Sequence, residues 1–122
     1  MSFIKRNATD GKVYAPGYFL ADNENCTLLT FEGKADNAQV VTDGDAKYIK
    51  GGTIWPSNDG NAVGIVYEDV DVSEGNMPGS LVKAGVVYSN RLPVELNGAA
   101  KTALEAKGFK FLTEGTVTRP TA

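Results

Sequence analysis

Glycine sets the first limit on this fold. Fourteen glycines and five prolines cut the 122 residues into short apolar runs, the pattern of many short strands joined by tight turns, and leave little room for helix. The runs that read as strands are Val13 to Leu20, Thr27 to Phe31, Gln39 to Thr42, Thr53 to Trp55, Val63 to Glu68 and Leu81 to Tyr88. Between them fall Asp43-Gly44-Asp45, Gly51-Gly52, Asp59-Gly60 and Pro78-Gly79, each of which supplies a positive φ or presets a turn.

The segment from Gly52 to Tyr67 reads as a hairpin, two β-prone arms around a loop of Asn, Asp and Gly. On its second arm Val63, Ile65 and Tyr67 would face one side and Gly64 and Val66 the other. A strand apolar on both sides suits a closed or nearly closed small barrel. Gly64 and Gly85 each interrupt a strand pattern and mark either a sharp bend or a close backbone approach. One helix follows late in the chain. Asn97 caps it, an alanine-rich run carries it with Leu96, Ala100, Ala103 and Leu104 on one face, and Gly108 stops it before a last strand, Phe109 to Leu112. That narrow face would pack over an open end of the barrel.

The expectation is a mainly β domain with one short α-helix, a small β-barrel or β-sandwich-like unit over residues 13–112. Residues 1–12 form a flexible N-terminal arm in this reading and residues 113–122 a loose C-terminal tail. The arm holds two adjacent apolar side chains, Phe3 and Ile4, and is otherwise polar, too little burial to offset the entropy of ordering it.

A chain of this length has room for one core, and 42% apolar with 22% charged residues is the balance of a globular domain. Net charge is −3, and the twelve basic residues are scattered, so no stripe exists to neutralise a run of phosphates and nucleic acid is not an expected partner. No apolar run approaches the roughly 20 residues that span a bilayer. The start Met1-Ser2-Phe3-Ile4-Lys5-Arg6 turns polar where a signal peptide would be apolar, so the chain is expected to be made in the cytoplasm and to have no membrane partner. Cys26 is the single cysteine; it is expected to be a small buried residue, and neither an internal disulfide nor a multi-cysteine zinc site can form. Two N-x-T sequons, at Asn7 and Asn25, would matter only in a secreted chain.

The search for chemistry ends without a catalytic, metal or cofactor constellation. The sequence contains no histidine, which removes the commonest general base and the Ser-His and Cys-His nucleophile pairs. The densest acidic run is Glu68, Asp69, Asp71 and Glu74. Tested as a calcium loop from Asp69, it places Glu74 where glycine is required and Ser80 where the closing glutamate belongs. The run reads instead as a strand end entering a solvated turn. No phosphate-binding glycine motif occurs. Trp55, Tyr14, Tyr18, Tyr48, Tyr67 and Tyr88 could form a sugar-stacking platform, but small β-domains commonly use such residues as structural filling; Trp55 is expected to be structural, like Gly64 and Gly85. The chain is expected to bind and not to catalyse.

The stretch Gly60-Asn61-Ala62-Val63-Gly64-Ile65-Val66-Tyr67-Glu68-Asp69-Val70-Asp71-Val72 resembles the strand and acidic exit of small capsid decoration proteins of tailed bacteriophages, the head-decoration, head-fibre or cement type. Lys50-Gly51-Gly52-Thr53-Ile54 upstream and Val82-Lys83-Ala84-Gly85-Val86-Val87-Tyr88 downstream, followed by Arg91-Leu92-Pro93 and an alanine-rich helix, are similar to further strands of those proteins. The likeness covers roughly Tyr48 to Leu112. It implies a non-catalytic homotrimer on the outer surface of a phage head, with the major capsid protein as partner. The arm residues Phe3, Ile4, Lys5 and Arg6 would then bind the capsid, adding a strand to an exposed sheet edge. Two other classes compete: a carbohydrate- or receptor-binding module displayed on a virion, which needs Trp55 and several tyrosines exposed together, and a carboxylate enzyme using Glu68, Asp69 or Asp71.

Overall fold

The computed structural model of the chain describes residues 17–21 and 26–113. Eight strands appear in order: β1 (Thr27–Gly33), β2 (Val41–Asp43), β3 (Ala46–Ile49), β4 (Ile54–Trp55), β5 (Gly64–Val66), β6 (Val70–Asp71), β7 (Met77–Tyr88) and β8 (Phe109–Leu112), with one helix, α1 (Gly98–Glu105), before β8. The twelve residues of β7 form the spine. Its first part pairs antiparallel with β1, from Gly33 against Met77 to Thr27 against Ala84. Its middle pairs antiparallel with β5, and Gly85 to Tyr88 pair parallel with β8. The order β1-β7-β5-β4, with β8 added to β7, makes one sheet, and β2-β3-β6 makes a second.

The expected hairpin from Gly52 to Tyr67 forms, with Ile54 against Ile65 and Trp55 against Gly64. Its loop is held by Asp59, whose carboxylate accepts from Asn61 N–H at 2.8 Å and from the Ser57 hydroxyl at 2.7 Å. These two bonds, the backbone one first, hold the Asp59 carboxyl below its ordinary range.

Two apolar clusters flank the large sheet. Ile54, Ile65, Val82 and Val87 meet Leu92, Ala100, Leu104 and Phe109 in one. Trp55, Val66 and Leu81 meet Ile49 and Val70 from the second sheet, and Val72 just after β6, in the other. Adjacent residues of a strand face opposite sides, which is why Ile65 and Val66 are both fully buried yet in different clusters. The helix serves the first cluster. Asn97 caps it as expected, its side chain accepting from Ala99 N–H at 2.9 Å, and Ala100 and Leu104 are buried.

The closed barrel is not formed. The large sheet ends at β1 and β4, and the second at β2 and β6. Two-sided burial of Val63 to Tyr67 was sound evidence for a strand with core on both faces, but those faces belong to two separate clusters, and the strand divides them. The helix accordingly covers one face of an open sheet and not the mouth of a barrel.

Three local expectations also need correction. Within Val13 to Leu20, the described residues 17–19 form a turn and Leu20 makes a single bridge to Val87; residues 13–16 lie outside the described residues. Pro78-Gly79 is not a turn but part of β7. Glu68 to Glu74 is not simply a solvated exit: it contains β6, and Val70 and Val72 are each 1% exposed. Two-residue strands such as β6 are below the length at which alternation can be read.

Candidate interaction surface

β1 is the end strand of its sheet, and it is apolar. Thr27-Leu28-Leu29-Thr30-Phe31 carries no charge, yet Leu28 is 42% exposed and Leu29 54%. Met77, across the end of the strand from Gly33, is also exposed. Phe31 alone in this run is half-buried, its ring meeting Trp55 edge-on at 5.2 Å. An uncharged strand edge with large apolar side chains on both faces is a template for pairing with another chain. At its far end Glu32 pairs with Lys34 at 3.0 Å, and that hydrogen bond, reinforced by the carboxylate's charge, raises the Lys34 pKa. Both side chains are more than half exposed, so the pair adds little stability.

The direction of the free backbone groups follows from one hydrogen bond. The Ser80 carbonyl accepts from Tyr67 N–H at 3.0 Å, so the polar groups of Ser80 point toward the β5 side. Its partner in β1, Thr30, therefore stands in a non-hydrogen-bonded pair, with its own N–H and C=O directed away from β7. By alternation the same holds for Leu28 and Glu32. Pro78 opposes Glu32 in this set, at a position where the ladder to β1 requires no N–H, which explains how proline enters this strand.

A concavity of about 270 Å3 lies between Val41, Ile54, Pro93 and Val94. Lys50 and Thr53 line it while nearly buried. Its polar donors serve the fold: Thr53 Oγ1 donates to the Lys50 carbonyl at 2.6 Å, and Gln39 Nε2 to the Ile54 carbonyl at 2.6 Å.

Of the residues singled out in the sequence, Tyr18 and Tyr88 meet at Arg91, and the others named below stand apart. Phe3, Ile4, Lys5 and Arg6 lie outside the described residues. Trp55 is 7% exposed and Tyr48 3%, so neither offers a stacking face. The Arg91 guanidinium lies 4.9 Å from the ring centres of both Tyr18 and Tyr88 and donates to the Tyr18 carbonyl at 3.0 Å, tying residues 17–21 to the end of β7. Gly64 stands at a close approach: a Cβ there would lie 2.5 Å from the Val82 carbonyl oxygen. At Gly85 it would lie 3.1 Å from Cys26 Cβ, one residue before Thr27, which pairs with Ala84. Cys26 is half-buried against the first cluster.

The acidic run is also occupied with structure. Asp69 Oδ1 accepts from Gly51 N–H at 2.7 Å and Asp71 Oδ1 from Ser73 N–H at 2.9 Å. Among the described residues no three His, Cys, Asp or Glu side chains gather in a group that could hold a metal, and no helix is long and apolar enough to cross a membrane. The sequence reading missed Leu28, Leu29 and Met77. Its only available signal was the five-residue run without a charge, which marks a strand but not its place in the sheet. No family model, curated protein or solved structure matches the chain.

Proposed function

We propose that this chain is a structural virion protein that binds the outer surface of a tailed-phage capsid and decorates or stabilises the head, as a homotrimer and without a catalytic step. The observation that carries the reading is the β1 edge, where Leu28 and Leu29 are exposed on opposite faces of the uncharged run Thr27 to Phe31 in an end strand. Such an edge favours association with other protein chains, and symmetric repetition multiplies weak attachments into avidity. The order of motifs from Lys50 to the helix supports the choice of a capsid as target and the major capsid protein as partner. A carbohydrate- or receptor-binding role draws no support from Trp55, which is buried, and a carboxylate enzyme draws none from Asp69 and Asp71, which hold backbone amides.

Co-sedimentation tests the proposal. The purified chain, mixed with capsids that lack it, is expected to pellet with them and to saturate at a fixed ratio to the major capsid protein. A chain that remains in the supernatant at micromolar concentration would count against a capsid role.

A further inference from the structure

At the opposite end of the large sheet, the outer edge of β4 meets side chains. β4 has β5 on one side, and the order β1-β7-β5-β4 stops on its other side. Val66 N–H donates to the Thr53 carbonyl at 2.9 Å, so Ile54, opposite Ile65, stands in a non-hydrogen-bonded pair and turns its own N–H and C=O away from β5. That outward carbonyl accepts from Gln39 Nε2 at 2.6 Å. Two residues on, the Pro56 carbonyl accepts from Gln39 Nε2 at 3.1 Å and from Asn37 Nδ2 at 3.0 Å.

We infer that Asn37 and Gln39 are an edge guard: their side-chain amides occupy the backbone acceptors of β4 and close that edge to the addition of a strand from another chain. The β1 edge has no such cover from a described strand. This closure does not depend on the capsid role proposed above.

The residue types fit the task. A primary amide carries two N–H donors on one nitrogen, and Gln39 uses that nitrogen on both carbonyls. A carboxylate in its place would have no donor to offer. Asn37 works at both ends of its amide, since Oδ1 accepts from Gln39 N–H at 2.9 Å while Nδ2 donates to Pro56. This fixes the direction of its amide and ties the two guards together. Donors are scarce on the edge as well, because Pro56 has no N–H. A strand laid beside Ile54 to Pro56 would find both outward acceptors taken and the Ile54 N–H as the single donor.

The loop that carries the guards is held in place. Ala35 and Val40 pack against the second cluster, and Ala35 N–H donates to Asn76 Oδ1 at 2.8 Å. Asn37 N–H donates to the Lys34 carbonyl and Val40 N–H to the Asn37 carbonyl, each at 3.1 Å, so two successive turns present Asn37 and Gln39 to β4. An unguarded β4 would give the sheet a second open edge. A chain with an open edge at each end of a sheet can join copies head to tail into filaments.

The test compares the parent with Asn37→Ala/Gln39→Ala and Asn37→Ala/Gln39→Glu, by light scattering over a range of concentration and by amide hydrogen exchange at Ile54. Both variants lose the amide donors and should lower the urea midpoint. Only the alanine pair leaves the edge uncharged, because a charged side chain itself protects a strand edge. The alanine pair should therefore show a mass at least about twofold above the parent, rising with concentration, and its Ile54 amide should exchange about tenfold more slowly than in the glutamate variant. The glutamate variant should keep the parent's mass. Gln39→Ala alone retains the Asn37 bond to Pro56 and should give a smaller rise in mass, which serves if the double variant fails to fold. Alanine variants with native circular dichroism and the parent's mass overturn the inference. A glutamate variant that assembles as far as the alanine pair also overturns it, because lost stability and not the opened edge would then be the cause. So does a larger mass without slower exchange at Ile54, which would place the contact elsewhere.

Discussion

Two strands with similar apolar sequences meet opposite fates in this molecule. Gly64-Ile65-Val66 in β5 lies between β4 and β7, and Ile65 and Val66 are 0% exposed. Thr27-Leu28-Leu29-Thr30 in β1 lies at the sheet's end, and Leu28 and Leu29 are exposed by 42% and 54%. The amino acids alone specify a strand in both places. Neighbours decide the rest: β5 has a layer over each face, while the first half of β1 projects past both. Apolar residues in β5 therefore hold the domain together, and those in β1 are left available to another chain.

The widest gap between the two strands should appear on truncation. Ile65→Ala removes fully buried methyl groups from the first cluster and is expected to cost about 2–5 kcal/mol. Leu29→Ala should change the stability of the single domain by less than about 0.5 kcal/mol. Urea denaturation of both variants at a concentration where the chain is monomeric checks this, and equal losses would erase the proposed division of labour.

Gly64 sharpens the same contrast. A valine there meets a backbone carbonyl, that of Val82, which cannot move without disturbing the β5–β7 pairing, so Gly64→Val should cost about 1–3 kcal/mol through overpacking. Gly85→Val presses on the Cys26 side chain, 3.1 Å from the added Cβ, and must also hold a β-branched residue at a φ of +159°, so backbone strain should bring its cost into the same range of about 1–3 kcal/mol. Chemical denaturation of both variants checks this, and a Gly85→Val chain as stable as the parent would show that neither the Cys26 contact nor the backbone constrains that position. Smaller still is the helix cap: Asn97→Ala leaves the Ala99 amide unsatisfied and should cost about 1 kcal/mol, with no change in association.

The smallest effect is one of pH. Asp59 accepts two hydrogen bonds in the loop leading into β5, from the Asn61 amide first and the Ser57 hydroxyl second, and they hold its folded pKa below the ordinary carboxylate range. A lowered folded pKa means that the contribution of Asp59 is complete above the ordinary carboxylate pKa and disappears as pH falls through the lowered one. Asp59→Asn should therefore narrow the stability difference from the parent as acid is added, measured as the urea midpoint of each from neutral pH down to roughly pH 2. A constant difference across that range would show that the carboxylate charge is not what holds the loop.

Local chemistry was legible where the sequence carries it locally. The Gly52 to Tyr67 hairpin, the Asn97 cap, the strand Phe109 to Leu112 and the close approach at Gly64 follow from turn residues, a capping side chain, apolar runs and a missing Cβ. Sheet closure was not legible, because two-sided burial of β5 is the same sequence pattern whether the strand walls one core or divides two. Pro78 was misread because its tolerance depends on pairing: only its place opposite Glu32, in a non-hydrogen-bonded pair, makes it acceptable in β7. The interaction surface was hidden for a related reason. Thr27 to Phe31 announces a strand, and nothing within those five residues tells that β7 will take one of its edges and leave the other open.

The most direct test of the β1 edge as an association surface is the solution mass of the intact chain beside Leu28→Thr/Leu29→Thr, which keeps strand propensity while removing both exposed leucines. Light scattering at micromolar concentration should give about three times the 12.9 kDa chain mass for the parent, and a single-chain mass for the double variant with native circular dichroism. A monomeric parent, or a double variant that remains trimeric, would contradict the account.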